Sequence, residues 1–300
     1  MEVTMELFVK NLLVGISIGS IYSLIGLGIV IIYKSSRIFN FAAGGVVALG
    51  AFIFLGFAVN LHISISLAMI LTVIVGLSLG LTTERIFLRP MIGQPILAVI
   101  MMTLALGSIY EGIVFLVGGG KFKTFVPIIK SDTITIGKIA LPSIYVFTIL
   151  AVIALFILLS LFFKYTKLGL GMRAAAEDHQ VAQSKGVRVT LLFGVSWGIC
   201  FLVFCLCGIF LGSITGSASH KLVFIALKAF PVVLCGGLES FLGCLIMGPV
   251  MGVTEIFSVA YLGHIIPWTG FDDISPYLLM LLIMLFRPEG LFGLKKIERI

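Results

Sequence analysis

Carboxylates set in or beside long apolar runs are the residues here with the clearest chemical meaning, because an ionised acid is costly away from water. Three qualify. Glu111 lies in the body of the run from Ile96 to Val117, Glu239 in the turn Gly236-Gly237-Leu238-Glu239-Ser240, and Glu255 toward the end of the run that begins at Phe241. Glu111 is the candidate for a proton-coupling group. Glu239 reads as a residue of a cytoplasmic turn and Glu255 as a carboxyl at the outer interface, each solvated or protonated. The histidines His62, His179, His220 and His264 fall at run ends or in loops, unclustered, which suits surface placement. Ser217 stands near His220, but no third group or oxyanion arrangement accompanies them. Gly120-Lys121 lacks the upstream glycine and following hydroxyl residue of a phosphate loop, and no HExxH metal motif occurs. Cys200, Cys205, Cys207, Cys235 and Cys244 all sit in apolar runs with no CxxC pair, as packed small hydrophobes do. The chain therefore reads as a non-enzyme with no cofactor or metal of its own. Any ATP it exploits must be hydrolysed by a partner.

The elements that carry these residues follow from composition. Of 300 residues, 60% are hydrophobic and 11% charged, against about 25% charged in soluble domains. That is an all-α polytopic membrane protein, a single transmembrane domain over residues 1–300 with eight or nine crossings and Gly-rich broken or re-entrant segments. Leu12 to Tyr33 is a retained anchor with small residues at Gly15, Gly19 and Ser23. Asn40-Phe41-Ala42-Ala43-Gly44-Gly45 follows. It suits either a closely packed helix start or a re-entrant element lining a path. Further spans run from Ser64 to Thr82, Ile96 to Val117, Pro142 to Phe163, Leu191 to Leu211, Leu222 to Cys235, Phe241 to Ala260 and Ser275 to Phe286. The polar stretch Gly118 to Leu141, with its TITI run, reads as an extramembrane loop containing a short hairpin. Small residues also recur at Gly208, Gly212 and Gly216, and at Ser240, Cys244, Gly248 and Gly252.

One long polar run separates two such spans. Lys164 to Thr190 carries a helical stretch, Arg173 to Ser184, which Gly186 is placed to stop. A helix that short is marginal alone and needs something to dock on. It reads as a cytoplasmic handle by which a soluble partner moves the membrane-embedded remainder. With the handle inside, thirteen of the 20 Lys and Arg residues fall on the inner side, which puts the N-terminus outside and the C-terminus inside.

Five stretches then converge on a family. NFAAGGVVALGAF, ERIFLRP, RAAAEDHQVAQSKGV, KAFPVVLCGGLESFLGCLIMGPVMGVTE and LLIMLFRPEGLFG occur in order between about Ser17 and Gly293. Together they resemble the permease subunits of branched-chain amino acid ABC importers. The resemblance implies a bacterial inner-membrane permease that pairs with a second, similar permease and two ATP-binding subunits. ATP and Mg would sit in those partners, and a periplasmic solute-binding protein would deliver the solute. Arg173, Ala176, Glu177, Asp178 and Gly186 match the family's coupling segment. Asn40, Phe41, Ala42 and Gly44 match its Asn-Phe-Ala motif, and Gly236, Gly237 and Ser240 its Gly-Gly turn. With Gly45 and Glu111, these last two groups are the candidates for the translocation path. The family usually has His where Ala43 stands, and Phe230-Pro231 is a second departure, so the solute stays open among amino acids, amides, urea and organic acids. The rival reading is a stand-alone secondary transporter coupled to protons through Glu111.

Overall fold

A computed structural model describes residues 2–129, 132–136, 139–177, 179–262 and 270–293. Helices dominate: α1 (Glu2–Ser36), α2 (Ala43–Leu55), α3 (Ile65–Thr83) and α4 (Ile96–Gly118) come first. After the short strands β1 (Lys123–Thr124), β2 (Thr133–Ile136) and β3 (Ile139–Pro142) come α5 (Ser143–Tyr165), α6 (Lys167–Glu177), α7 (His179–Ser184) and α8 (Val189–Thr215). The strand β4 (Ser217–Ala218) leads to α9 (Lys221–Leu227), α10 (Ala229–Gly236), α11 (Phe241–Phe257) and α12 (Phe271–Phe286). β2 and β3 form the expected hairpin, Thr133 opposite Pro142, while β1 pairs with β4, which local sequence did not signal.

Seven helical segments among the described residues are long and apolar enough to cross a membrane, against the eight or nine crossings expected. The difference lies near the C-terminus. α12 has 16 residues, and the run from Leu222 to Cys235 is not one helix but two, α9 and α10, of 7 and 8 residues. Crossing a bilayer takes about 20 helical residues. The cause is Pro231, which has no N–H to donate to the carbonyl four residues back, at Leu227. In the first turn of a new helix that loss is harmless, so the chain breaks at Lys228 and restarts.

The chain forms two compact units. One comprises Met1–Leu27, Ile129–Ala154 and Lys228–Ile300; the other, Gly28–Ile128 and Leu155–Leu227. In the first, the two small-residue stripes found separately in the sequence meet each other. A Cβ at Gly19 would lie 2.3 Å from the Gly248 carbonyl oxygen, and one at Gly252 2.3 Å from the Gly15 oxygen. Backbones this close are what small residues permit in lipid, where packing takes over from the hydrophobic effect. Ser23 Oγ donates to Gly19 O along α1 and reaches Leu245 O at 3.5 Å.

In the second unit α8 is the central pillar, packed against α2 and α3. A Cβ at Gly208 would fall 2.0 Å from Val47 O, and one at Gly80 2.4 Å from Trp197 O. Gly212 faces the Phe125 ring, whereas Gly216 takes φ +67 and ends α8, so the third member of that stripe is a cap and not a contact. Cys200, Cys205 and Cys207 fill this core as free thiols, and Cys235 and Cys244 are likewise buried and free in the first unit.

Candidate functional site

The Asn-Phe-Ala segment sits in the second unit. α1 ends where Arg37 adopts φ 57, and the chain then runs irregularly to α2. Asn40 is fully buried; its Oδ1 accepts from Ala42 N at 3.0 Å, turning the chain into α2, while its Nδ2 has no partner. Ala42 is buried at the start of α2, and the Phe41 ring lies 5.0 Å from that of Phe39. Gly44 faces Val223 O of α9, and Gly45 faces Gly107 O and the Tyr110 Cβ of α4. Of the two readings open from sequence, the closely packed helix start is the one adopted. α2 runs unbroken from Ala43 and continues through a wider turn to Asn60.

Glu111 is half-exposed on α4, and its Oε1 lies 2.9 Å from His220 Nε2. His220 is thus not a free surface histidine, and its Nδ1 is buried without a partner. Ser217 belongs to β4, where Thr215 Oγ1 donates to its carbonyl. Near the opposite ends of α3 and α4 is a cavity of about 620 Å³, lined by Tyr33, Arg37, Glu84, Phe193 and Trp197 among others. Glu84, in the ERIFLRP stretch, is 2% exposed and bonded by Arg89 at 3.2 Å.

The Gly-Gly turn belongs to the first unit. Gly237 takes φ +98, which favours glycine, and a Cβ there would meet Gly293 N at 2.7 Å. Gly236 abuts Gly243, and Ser240 Oγ accepts from Gly243 N at 3.0 Å, capping α11. Leu291 N donates to Cys235 O, pinning the chain after α12 to the same turn.

The handle is more helical than its sequence announces. α6 begins at Lys167, almost continuous with α5, and α7 stops where Gly186 takes φ +83. Gly169, Met172 and Ala175 are buried on one face, and α6 and α7 both pack on α8. Lys167, Arg173 and Lys185 are exposed. Arg173 Nη2 donates to Lys164 O at 3.2 Å, satisfying a carbonyl at the end of α5. Ala176 and Glu177 close α6, while Asp178 lies outside the described residues.

Glu255 overturns its sequence reading, and its partner is Lys228. Glu255 is not a solvated interfacial carboxyl but 8% exposed. Its Oε1 accepts from Lys228 Nζ at 2.8 Å and its Oε2 from Tyr22 Oη at 2.8 Å. Lys228 is 3% exposed and also lies 3.0 Å from Asp273 Oδ1. Four groups from α1, the α9–α10 break, α11 and the first turn of α12 thus share one cluster. An isolated charge at such depth is strongly disfavoured, so the three charged members hold one another there. Pro231, which sets the break, was the available signal.

Long apolar helices meeting through glycine stripes, a buried ionic cluster at a helix break and a short polar helix pair are the features of a multi-pass membrane protein. The chain belongs to the family described as branched-chain amino acid transport system / permease component, which matches residues 11–286. It is 26% identical over 307 aligned positions to the high-affinity branched-chain amino acid transport system permease protein LivH of Salmonella typhimurium, covering 98% of both chains. It is 24% identical, with the same coverage, to BraD of Pseudomonas aeruginosa. A probable LivH of Methanocaldococcus jannaschii is 26% identical, covering 92% of this chain and 90% of that protein. Among solved structures, PsaBC from Streptococcus pneumoniae in complex with Fab aligns over 93% of this chain and 91% of its own, with a TM-score of 0.53 at 12% identity, a likeness of fold alone. The protein is thus a multi-pass permease component of the bacterial inner membrane, and its family is one of transporters, not of enzymes.

Proposed function

We propose that this chain forms half of the translocation path of an ATP-binding-cassette importer for a branched-chain amino acid or related small polar solute. A second, similar permease completes the path, two ATP-binding subunits supply ATP and Mg, and a periplasmic binding protein delivers the solute. The observation that carries this reading is the α6–α7 element: a short helix pair packed on α8, with Gly169, Met172 and Ala175 buried and Lys167, Arg173 and Lys185 exposed for a partner. Arg173, Ala176, Glu177, Asp178 and Gly186 are the residues assigned to the ATPase contact. Closure of the ATPase dimer displaces this element, and α8, on which it is docked, carries the displacement into the membrane-embedded unit. A near-complete switch between outward- and inward-open states requires a difference of about 5.5 kcal/mol between them, which nucleotide-driven closure can supply.

Asn40, Phe41, Ala42, Gly44, Gly45 and Glu111, and separately Gly236, Gly237 and Ser240, are the residues assigned to the path. The stand-alone, proton-coupled alternative has no support from the family or from the relatives. The test uses the assembled importer in proteoliposomes. Arg173→Glu, or deletion of residues 177–184, is expected to leave the permease folded while ATPase activity loses its response to loaded binding protein. Wild-type stimulation in the deletion overturns the reading.

A further inference from the structure

We propose that Lys228 is a carboxylate-binding site for the transported solute and that Asp273 occupies it as a resident stand-in. The inference rests on the importer reading and adds a chemical group that the solute must carry. Three observations support it. First, the ammonium is almost fully buried, at 3% exposure, and sits where the apolar run is interrupted between α9 and α10. Interrupted helices are where transporters place polar groups for their cargo.

Second, its two carboxylate partners are unequal. Glu255 is buried, held additionally by Tyr22 Oη, and fixes the ammonium from one side at 2.8 Å. Asp273 makes its contact at 3.0 Å from a side chain that is 69% exposed. An exposed partner is held weakly and exchanges with another carboxylate of similar reach. Structural economy would need only one acid to neutralise Lys228. The second, reachable from water, occupies the position an incoming carboxylate would take.

Third, α11 and α12, which carry Glu255 and Asp273, also carry the walls of an apolar groove. Ser258 Oγ lies 3.0 Å from Ser275 Oγ and donates to Glu255 O, and this pair edges an open groove of about 580 Å³ with Phe257, Tyr261, Leu278 and Leu282 as walls. A solute bearing one carboxylate and a compact aliphatic body is complementary to that combination. An amide of the same shape, which keeps the ammonium but lacks the carboxylate, is not.

The proposal predicts a gain of function. In the assembled complex in lipid nanodiscs without binding protein, removing the competitor by Asp273→Asn should tighten equilibrium binding of L-leucine about two- to fivefold. L-leucinamide should bind that variant at least about tenfold more weakly than L-leucine, and Lys228→Met should lose leucine binding to a similar degree while Lys228→Arg retains it. Because Asp273 is exposed, Asp273→Asn tests the idea even if Lys228→Met fails to fold. Unchanged or weaker leucine binding in Asp273→Asn, no measurable binding in that variant, or equal binding of leucine and leucinamide overturns the proposal. ATP-driven leucine uptake with binding protein, measured alongside, separates the two readings. Uptake without the Asp273→Asn gain defeats this inference alone, and tightened binding without uptake defeats the importer reading instead.

Discussion

Glu255 and Lys228 show what single residues can hide. From sequence, Glu255 reads as a carboxyl near a span end and Lys228 lies within the run from Leu222 to Cys235, because the pairing joins positions 27 apart across a helix break that hydropathy alone does not mark. Only Pro231 hints at the break, and nothing local indicates which acid the lysine meets. Glu111 was the more conspicuous carboxylate, yet it lies half-exposed beside His220. The cluster has an energetic consequence. Removing one partner of a buried pair strands the other, at a cost of about 3–5 kcal/mol, whereas removing both costs far less. Thermal unfolding in detergent should therefore show Glu255→Leu or Lys228→Met markedly destabilised and the double variant Lys228→Met/Glu255→Leu recovering most of the loss. Additive effects in the double variant would mean that the pair is not coupled.

Helices were far more legible than their partners. The stripes at Gly15, Gly19 and Ser23 and at Gly248 and Gly252 were visible as periodicities, but periodicity does not say which stripe faces which. The structure joins them in one interface, while Gly216 drops out of its apparent stripe because a left-handed residue was needed to end α8. Two glycines separate packing from propensity. A Cβ at Gly248 would come within 2.4 Å of Gly19 O, so Gly248→Ala should destabilise by about 1–3 kcal/mol through overpacking. Gly112, in α4, has open space around it, and Gly112→Ala should be neutral or stabilising by up to about 1 kcal/mol. Thermal unfolding of both variants reads the contrast, and similar losses would contradict it. The handle was legible for a different reason: polar, Ala-rich sequence between two apolar runs has few other destinations. Its start at Lys167 was missed because Gly169 and Gly171, poor helix formers, are accommodated by close approach to Phe163 and Leu192.

For the molecule as a whole, composition fixed the class at once, while the number of crossings turned on the break set by Pro231 and on the 16-residue length of α12. The sidedness inferred from basic residues is open to a direct measurement, since all five native cysteines are buried and free. Lys121→Cys and Lys185→Cys, both at exposed positions, should react differently with a membrane-impermeant maleimide. Lys121→Cys should label in intact spheroplasts and Lys185→Cys only after permeabilisation; the reverse pattern would invert the topology. The division into two units has a last implication for how such a chain can be built and altered. Each unit is stitched from non-adjacent segments, and both α1 and α5 start in one unit and finish in the other. No single cut in the polypeptide frees either unit whole. A ribosome making this protein cannot complete the first unit before the second has been synthesised, and recombination that exchanged one unit for a homologue's would need several simultaneous junctions, two of them inside continuous helices.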